Sequence, residues 1–205
     1  MKFEPGKGWS YSNAAFIVAG MIIEKVSGQD YFSYVEKNIF APAGMTASGY
    51  FLRDEKVPNR AFGFTRADST DGARHSSESM LPWRGGPAGG GYSTAGDLLK
   101  FATALRSHKL LNPQFTDMIT SIQSKPEGSG PNEGYGYGFG VDVLSGGERL
   151  VGHGGGFPGT STNLQIFLKS GYTVVVLTNY DPPAAERVSG WIISRLESVP
   201  DRAAD

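Results

Sequence analysis

The sequence predicts an α+β protein, a helical lobe followed by an antiparallel sheet lobe, and three patterns in its 205 residues carry that expectation. Apolar residues recur at helical spacing over 13–27 and again over 95–107. Beyond residue 134 the period changes to two, with β-branched runs over 150–153, 163–168 and 172–178. The gaps Ser145-Gly146-Gly147 and Lys169-Ser170-Gly171 have hairpin length, so these strands are expected to be antiparallel neighbours. The expected division is a helical lobe over 1–134, a sheet lobe with a closing helix over 135–199, and a frayed tail over 200–205.

Taken in order, the first helix follows Ser12-Asn13 and runs through Phe16, Ala19, Ile23 and Val26 to a stop at Gly28. Asp30 is placed as the N-cap of a second helix through Tyr34 and Ile39, which Pro42 should end. Residues 46–92 show little periodicity and many turn residues, which predicts loops with one short hairpin. Thr94 and Asp97 resemble a capping box, with Asp in the usual place of Glu, ahead of a helix over 95–107. Asn112-Pro113 sets up a short helix over Phe115, Met118, Ile119 and Ile122. The sheet lobe then begins with a strand over 135–144, and a closing helix over Ala185, Val188, Trp191, Ile192 and Leu196 should cover one face.

Composition excludes several functions. Lys and Arg number 19 against 20 Asp and Glu, a net charge of -1, and the basic residues form no stripe. Nucleic acid and anionic membrane surfaces are therefore poor partners. With 0 cysteines there is no disulfide framework and no thiolate metal site. His75 and His108 lack partners at ligand spacing, so no metal and no cofactor is expected. No apolar run follows Lys2 and none reaches spanning length, so neither a signal peptide nor a membrane span is expected. The 29 glycines, about twice the usual share, cluster between apolar segments and point to shaped loops around a folded body.

Three segments carry chemical promise together: Tyr11-Ser12-Asn13 at a helix start, 85–97 with its run Gly89-Gly90-Gly91-Tyr92-Ser93-Thr94, and Gly152-His153-Gly154-Gly155-Gly156-Phe157 after a strand. Singly they are weak, since a Tyr-x-Asn is expected by chance about 0.3 times in a chain of this composition. Tyr11 and Asn13 can be read as plain helix-entry residues, with Asn13 an N-cap, and 152–156 as a glycine-rich turn with a solvated histidine. Trp9, Trp83, Tyr92 and Phe157 can line a pocket or simply pack.

In this order the segments resemble the serine β-lactamase-like family, which includes class C β-lactamases, D-alanyl-D-alanine carboxypeptidases of the penicillin-binding type, D-aminopeptidases and esterases. Pro42-Ala43-Gly44-Met45 and Val175-Val176-Leu177-Thr178-Asn179 add to the likeness, which covers nearly the whole chain. The resemblance implies a β-lactamase/transpeptidase-like fold, an acyl-serine intermediate formed on ester, amide or β-lactam bonds, and a periplasmic, envelope or secreted setting. It also implies a Ser-x-x-Lys segment upstream of the Tyr-x-Asn, and this chain contains none. The expectation is a C-terminal part with an incomplete sheet, inert by itself, that joins a missing N-terminal segment or self-associates through an open sheet edge.

The resemblance assigns roles residue by residue. Tyr11 is the base, which a tyrosine becomes only where positive charge draws its pKa down from about 10. Asn13 offers an amide to the substrate carbonyl or the lysine, and Gly155 with Gly156 lines the site, the Gly156 N–H forming half of an oxyanion hole. His153 stands where many members carry lysine. A histidine with an ordinary pKa near 6.5 is mostly neutral at pH 7, which favours esterase or peptidase action over efficient β-lactam hydrolysis. The rival reading is a non-catalytic module that holds a peptide or peptidoglycan-like ligand.

Overall fold

In the computed structural model, which describes residues 2–196, helix α1 (Asn13–Ser27) lies where the periodicity predicts, but Ser12 is its cap. The Ser12 hydroxyl accepts from the Ala15 N–H at 3.1 Å. Asn13 is thus the first helical residue, exposed and relieved of capping, which corrects the plain N-cap reading. Gly28 closes the helix at φ 68°, a left-handed conformation that favours glycine.

Asp30 caps α2 (Tyr31–Val35) by accepting from the Ser33 N–H. Contrary to expectation, Pro42 does not end this helical path. It widens into a π turn over Glu36–Phe40 and continues as α3 (Ala41–Ala43), where Gly44 stops it. The Ala41 N–H bonds to the Glu36 carbonyl, five residues back. A proline ring in a regular helix strikes the carbonyl four residues earlier, and a widened turn relieves that collision.

The short hairpin expected in the loop-rich stretch is the pair β1 (Phe64–Thr65) and β2 (His75–Ser76). Helix α4 (Ala95–Arg106) is capped by Thr94, whose hydroxyl accepts from the Asp97 N–H at 3.1 Å. The capping box is one-sided. The Asp97 carboxylate turns away from the cap and accepts from Ala47 N–H at 2.7 Å, Ser48 Oγ at 2.9 Å and Lys100 Nζ at 2.9 Å. Helix α5 (Pro113–Ile119) has Asn112 as its cap and stops short of Ile122. There the Ser121 hydroxyl donates to the Asp117 carbonyl, which a further turn would have used, and the Thr120 hydroxyl adds to the Thr116 carbonyl already bonded by the Thr120 N–H.

Five antiparallel strands follow in sequence order: β3 (Glu133–Tyr135), β4 (Gly140–Val143), β5 (Arg149–Phe157), β6 (Thr160–Phe167) and β7 (Thr173–Thr178). The single strand expected over 135–144 is two strands joined by a turn in which Gly138 takes φ 85° and the Gly136 N–H bonds to the Phe139 carbonyl. The turn reading of 152–156 is overturned as well. Those glycines are extended backbone, paired with β6 from Leu150↔Phe167 to Phe157↔Thr160.

Alternation along the strands gives the sheet two buried faces. Val141, Val151 and Ile166 pack with Ala102 and Leu105 of α4. Leu150, Phe167 and Val174 face the other way, against Ile192, Ile193 and Leu196 of α6 (Ala184–Leu196), the closing helix. The remainder of the expected sheet lobe, 197–199, and the tail at 200–205 lie outside the described residues.

Two surfaces stand open. Strand β7 is a terminal strand of the sheet, as expected of the Val174 to Leu177 segment. Helix α1 buries only Gly20, while Val26, Met21 and Ile22 are 82%, 62% and 57% exposed. A helix this apolar is ordinarily covered by protein on most sides. No helix among the described residues is long and apolar enough to cross a membrane.

Candidate active site

The strand that carries the histidine changes character halfway along. Strand β4 pairs with β5 only as far as Gly140↔Gly152. From His153 onward β5 keeps β6 on one side and, among the described residues, has no strand on the other. His153 and Gly155 share the face of Val151, toward α4. Gly154 and Gly156 point the opposite way, where a Cβ on Gly156 would fall 2.6 Å from Pro182 Cγ. At Gly152 a Cβ would lie 2.0 Å from the Leu164 carbonyl oxygen, so the close approach of β5 to β6 demands glycine there.

Against the unpaired stretch of β5 lies the extended segment before α1. The Tyr11 ring, half exposed, sits 6.1 Å from the His153 ring at a 38° tilt. His153 Nδ1 bonds to the Gly154 carbonyl, and Nε2 lies 3.0 Å from the Tyr135 hydroxyl. Tyr135 meets Trp9 edge-on at 5.9 Å. Burial, and then the proximity of Tyr11, pushes the Tyr135 hydroxyl above its ordinary pKa, so it stays protonated. Beside Tyr11, Ser10 Oγ accepts from Lys2 Nζ at 3.1 Å.

Of the residues singled out from sequence, the structure therefore brings Tyr11 and His153 into one ring cluster, with Gly155 two residues further along the same face. Gly156 is on the same strand with its Cα turned to the opposite face. Asn13 stands exposed at the start of α1, without a side-chain hydrogen bond among the described residues. Trp9 joins the cluster. Tyr92 packs against Phe51 and under the Arg60 guanidinium, and Trp83 lies under Arg53. Phe157 closes β5 and is 38% exposed. Among the described residues no group of acidic or histidine side chains could hold a metal ion.

Tyr135 was missed by the sequence reading. It sits in the alternation Tyr135-Gly136-Tyr137-Gly138-Phe139-Gly140. The short alternation does not say which of its two tyrosines reaches His153; in the folded chain it is Tyr135, at the end of β3. Asp181 was missed too. Its carboxylate accepts from Gly159 N–H at 2.8 Å and Arg66 N–H at 2.9 Å, fastening the β5–β6 turn to the β1 hairpin. The Thr65 hydroxyl, those two N–H groups and the nearby Arg74 draw its pKa down to about 2.

Comparison with known proteins fits this architecture. The family model described as Beta-lactamase matches residues 1–197. Penicillin-binding protein 4* of Bacillus subtilis is 29% identical over 231 aligned positions, covering 99% of this chain and 48% of its own length. A crystal structure of a penicillin binding protein from Bacillus halodurans superposes with a TM-score of 0.87 at 35% identity, covering 95% of this chain and 59% of that one. A D-stereospecific amidohydrolase from Streptomyces superposes with a TM-score of 0.73 at 33% identity, covering 87% and 52%. The chain thus spans about half the length of the relatives it matches.

The helices and antiparallel sheet are therefore those of the β-lactamase/transpeptidase-like fold. The chain belongs to the Beta-lactamase family.

Proposed function

We propose that this chain forms part of the site of a serine hydrolase, which acts on ester, amide or β-lactam bonds through an acyl-serine intermediate. The observation that carries the reading is the approach of Tyr11, from the segment before α1, to His153 on the unpaired stretch of β5. In this reading Tyr11 takes the proton of the attacking hydroxyl, Asn13 binds the substrate carbonyl or a neighbouring ammonium, and Gly155 with the Gly156 N–H lines the oxyanion position. In this reading the cleft lies between a helical lobe that ends near residue 134 and a sheet lobe that begins at 135. No cofactor takes part. Histidine in the place of lysine points to small acyl esters and peptides ahead of β-lactams, and the D-stereospecific amidohydrolase relative supports an amide substrate.

No Ser-x-x-Lys occurs in the 205 residues. We therefore propose that serine and lysine come from polypeptide outside them, and that this polypeptide covers the apolar α1 and adds to the β7 edge. Without it the chain is inert and at most holds a ligand.

The test joins the part of the Bacillus halodurans relative that this chain does not match to residues 1–205 and supplies a chromogenic acyl ester. Turnover is expected, and Tyr11→Phe should lower it roughly 10²–10⁴-fold, the usual loss with a general base. A folded, active fusion whose rate Tyr11→Phe leaves unchanged would remove Tyr11 from the mechanism.

A further inference from the structure

We propose that Tyr135 is the positioning residue of His153, fixing its ring with the proton on Nδ1 and converting protonation of the ring into a hydroxyl donor turned toward the cleft. The bearing on catalysis rests on the reading above, whereas the geometry stands without it.

The Gly154 carbonyl decides the tautomer. A carbonyl oxygen only accepts, so the Nδ1 that bonds to it carries a hydrogen. A neutral imidazole has one hydrogen, which leaves Nε2 with a lone pair. Facing that lone pair at 3.0 Å is the Tyr135 hydroxyl, which must then donate. Tyr135 is suited to this. Its ring is held edge-on by Trp9 and itself meets the His153 ring edge-on at 6.1 Å. Both ring nitrogens are engaged, so neutral His153 shows Tyr11 its ring and offers no free nitrogen to a substrate.

Protonation reverses one bond. Nε2 then carries a hydrogen and donates to Tyr135 Oη, and the hydrogen of Tyr135 must turn elsewhere. Among the described residues, the titratable groups in ring contact with His153 are Tyr135 from β3 and Tyr11 from the segment before α1. Glu186 of α6 lies behind the strand, on the face of Gly154, where it accepts from Ser161 Oγ at 2.7 Å. The freed Tyr135 hydrogen therefore turns toward Tyr11 and the open side. A ring charge and a hydroxyl donor appear together, and an anionic group on a substrate meets both.

The experiment is ¹⁵N NMR of the 205-residue chain, read above the pH at which its histidines titrate. His153→Gln assigns one of the three histidine signals. Native His153 should show the Nδ1–H tautomer. In Tyr135→Phe, which removes only the hydroxyl, the Nε2 signal should move toward the protonated position as the tautomers mix, with His75 and His108 unmoved as a check on the fold. An Nε2–H tautomer in the native chain overturns the proposal, and so does an unchanged tautomer in a folded Tyr135→Phe. The native measurement decides even where the variant does not fold. In the fusion enzyme, Tyr135→Phe should shift the pH profile of kcat/KM, whereas a uniform loss at every pH would refute a role through His153. Because the tautomer is read without substrate, a fusion that binds no acyl ester counts against the proposed function and leaves the tautomer result to judge Tyr135.

Discussion

Replacing Asp97 tests how the loop after α3 is held to α4. The carboxylate is buried, and in Asp97→Ala it leaves behind the Ala47 N–H, the Ser48 hydroxyl and Lys100. Ser48 has an alternative partner in Ser93 Oγ at 2.8 Å, and Lys100 has one in the Gly44 carbonyl at 2.9 Å. The Lys100 side chain is also 48% exposed, so its pairing contributes at most about 1 kcal/mol. The Ala47 N–H alone is stranded, at about 1–3 kcal/mol. Together these give a loss of about 1–4 kcal/mol for alanine. Asparagine keeps an acceptor for Ala47 and should lose about 1–2 kcal/mol. Urea unfolding at neutral pH measures both through the midpoint at constant slope. An alanine variant as stable as the parent, or an asparagine variant as damaged as alanine, would refute the reasoning. Burial works to raise the Asp97 pKa, but Lys100, the Ala47 N–H and Ser48 hold it below the usual carboxylate range. The folded pKa is thus the lower one, so this contribution is full above about pH 4 and is lost as pH falls through the folded value.

Asp181 should behave in the same sense over a defined window: with a folded pKa of about 2, its advantage over Asp181→Asn in urea midpoint should be constant above about pH 4 and shrink as pH falls toward 2. A gap that widens on acidification would contradict the clasp. Gly152→Ala should destabilise the sheet by about 3 kcal/mol or more, because its Cβ meets the Leu164 backbone and no side chain can yield; a neutral midpoint shift would show that β5 and β6 separate readily. Gly20→Ala places a Cβ 2.2 Å from Pro87 Cγ and should cost about 1–3 kcal/mol by the same measurement, while a stabilised variant would mean that α1 is not seated on Pro87.

The parts of the fold legible in the sequence are those fixed locally. Asp30, Thr94 and Asn112 cap helices because each needs only its own side chain and an N–H two or three residues on. Pro42 misled because a proline ends a regular helix, and a π turn set up five residues earlier is invisible to a period-3.6 reading. The strand division at Gly136 and Gly138 and the extended glycines of β5 were hidden for a shared reason: glycine has no periodic signature, so only pairing decides between turn and strand. In the site, Tyr11 and His153 stood out because each lies in a short motif. Tyr135 did not, because its contact depends on register across three strands, and Asp181 did not, because its partners Arg66 and Gly159 are 115 and 22 residues away in the chain.

We propose that Tyr11 and His153 face each other across an acyl-transfer site whose nucleophile these 205 residues do not supply. The most direct measurement is the intact mass of the purified 205-residue chain after incubation with a chromogenic acyl ester and a serine-directed acylating probe. An unchanged mass and no release of chromophore are expected. Ser12 is occupied as the cap of α1, and Ser10, which accepts from Lys2 beside Tyr11, is the serine to watch. A stoichiometric mass increase on one serine, with turnover abolished by Tyr11→Phe, would show that the chain supplies its own nucleophile and would contradict the account.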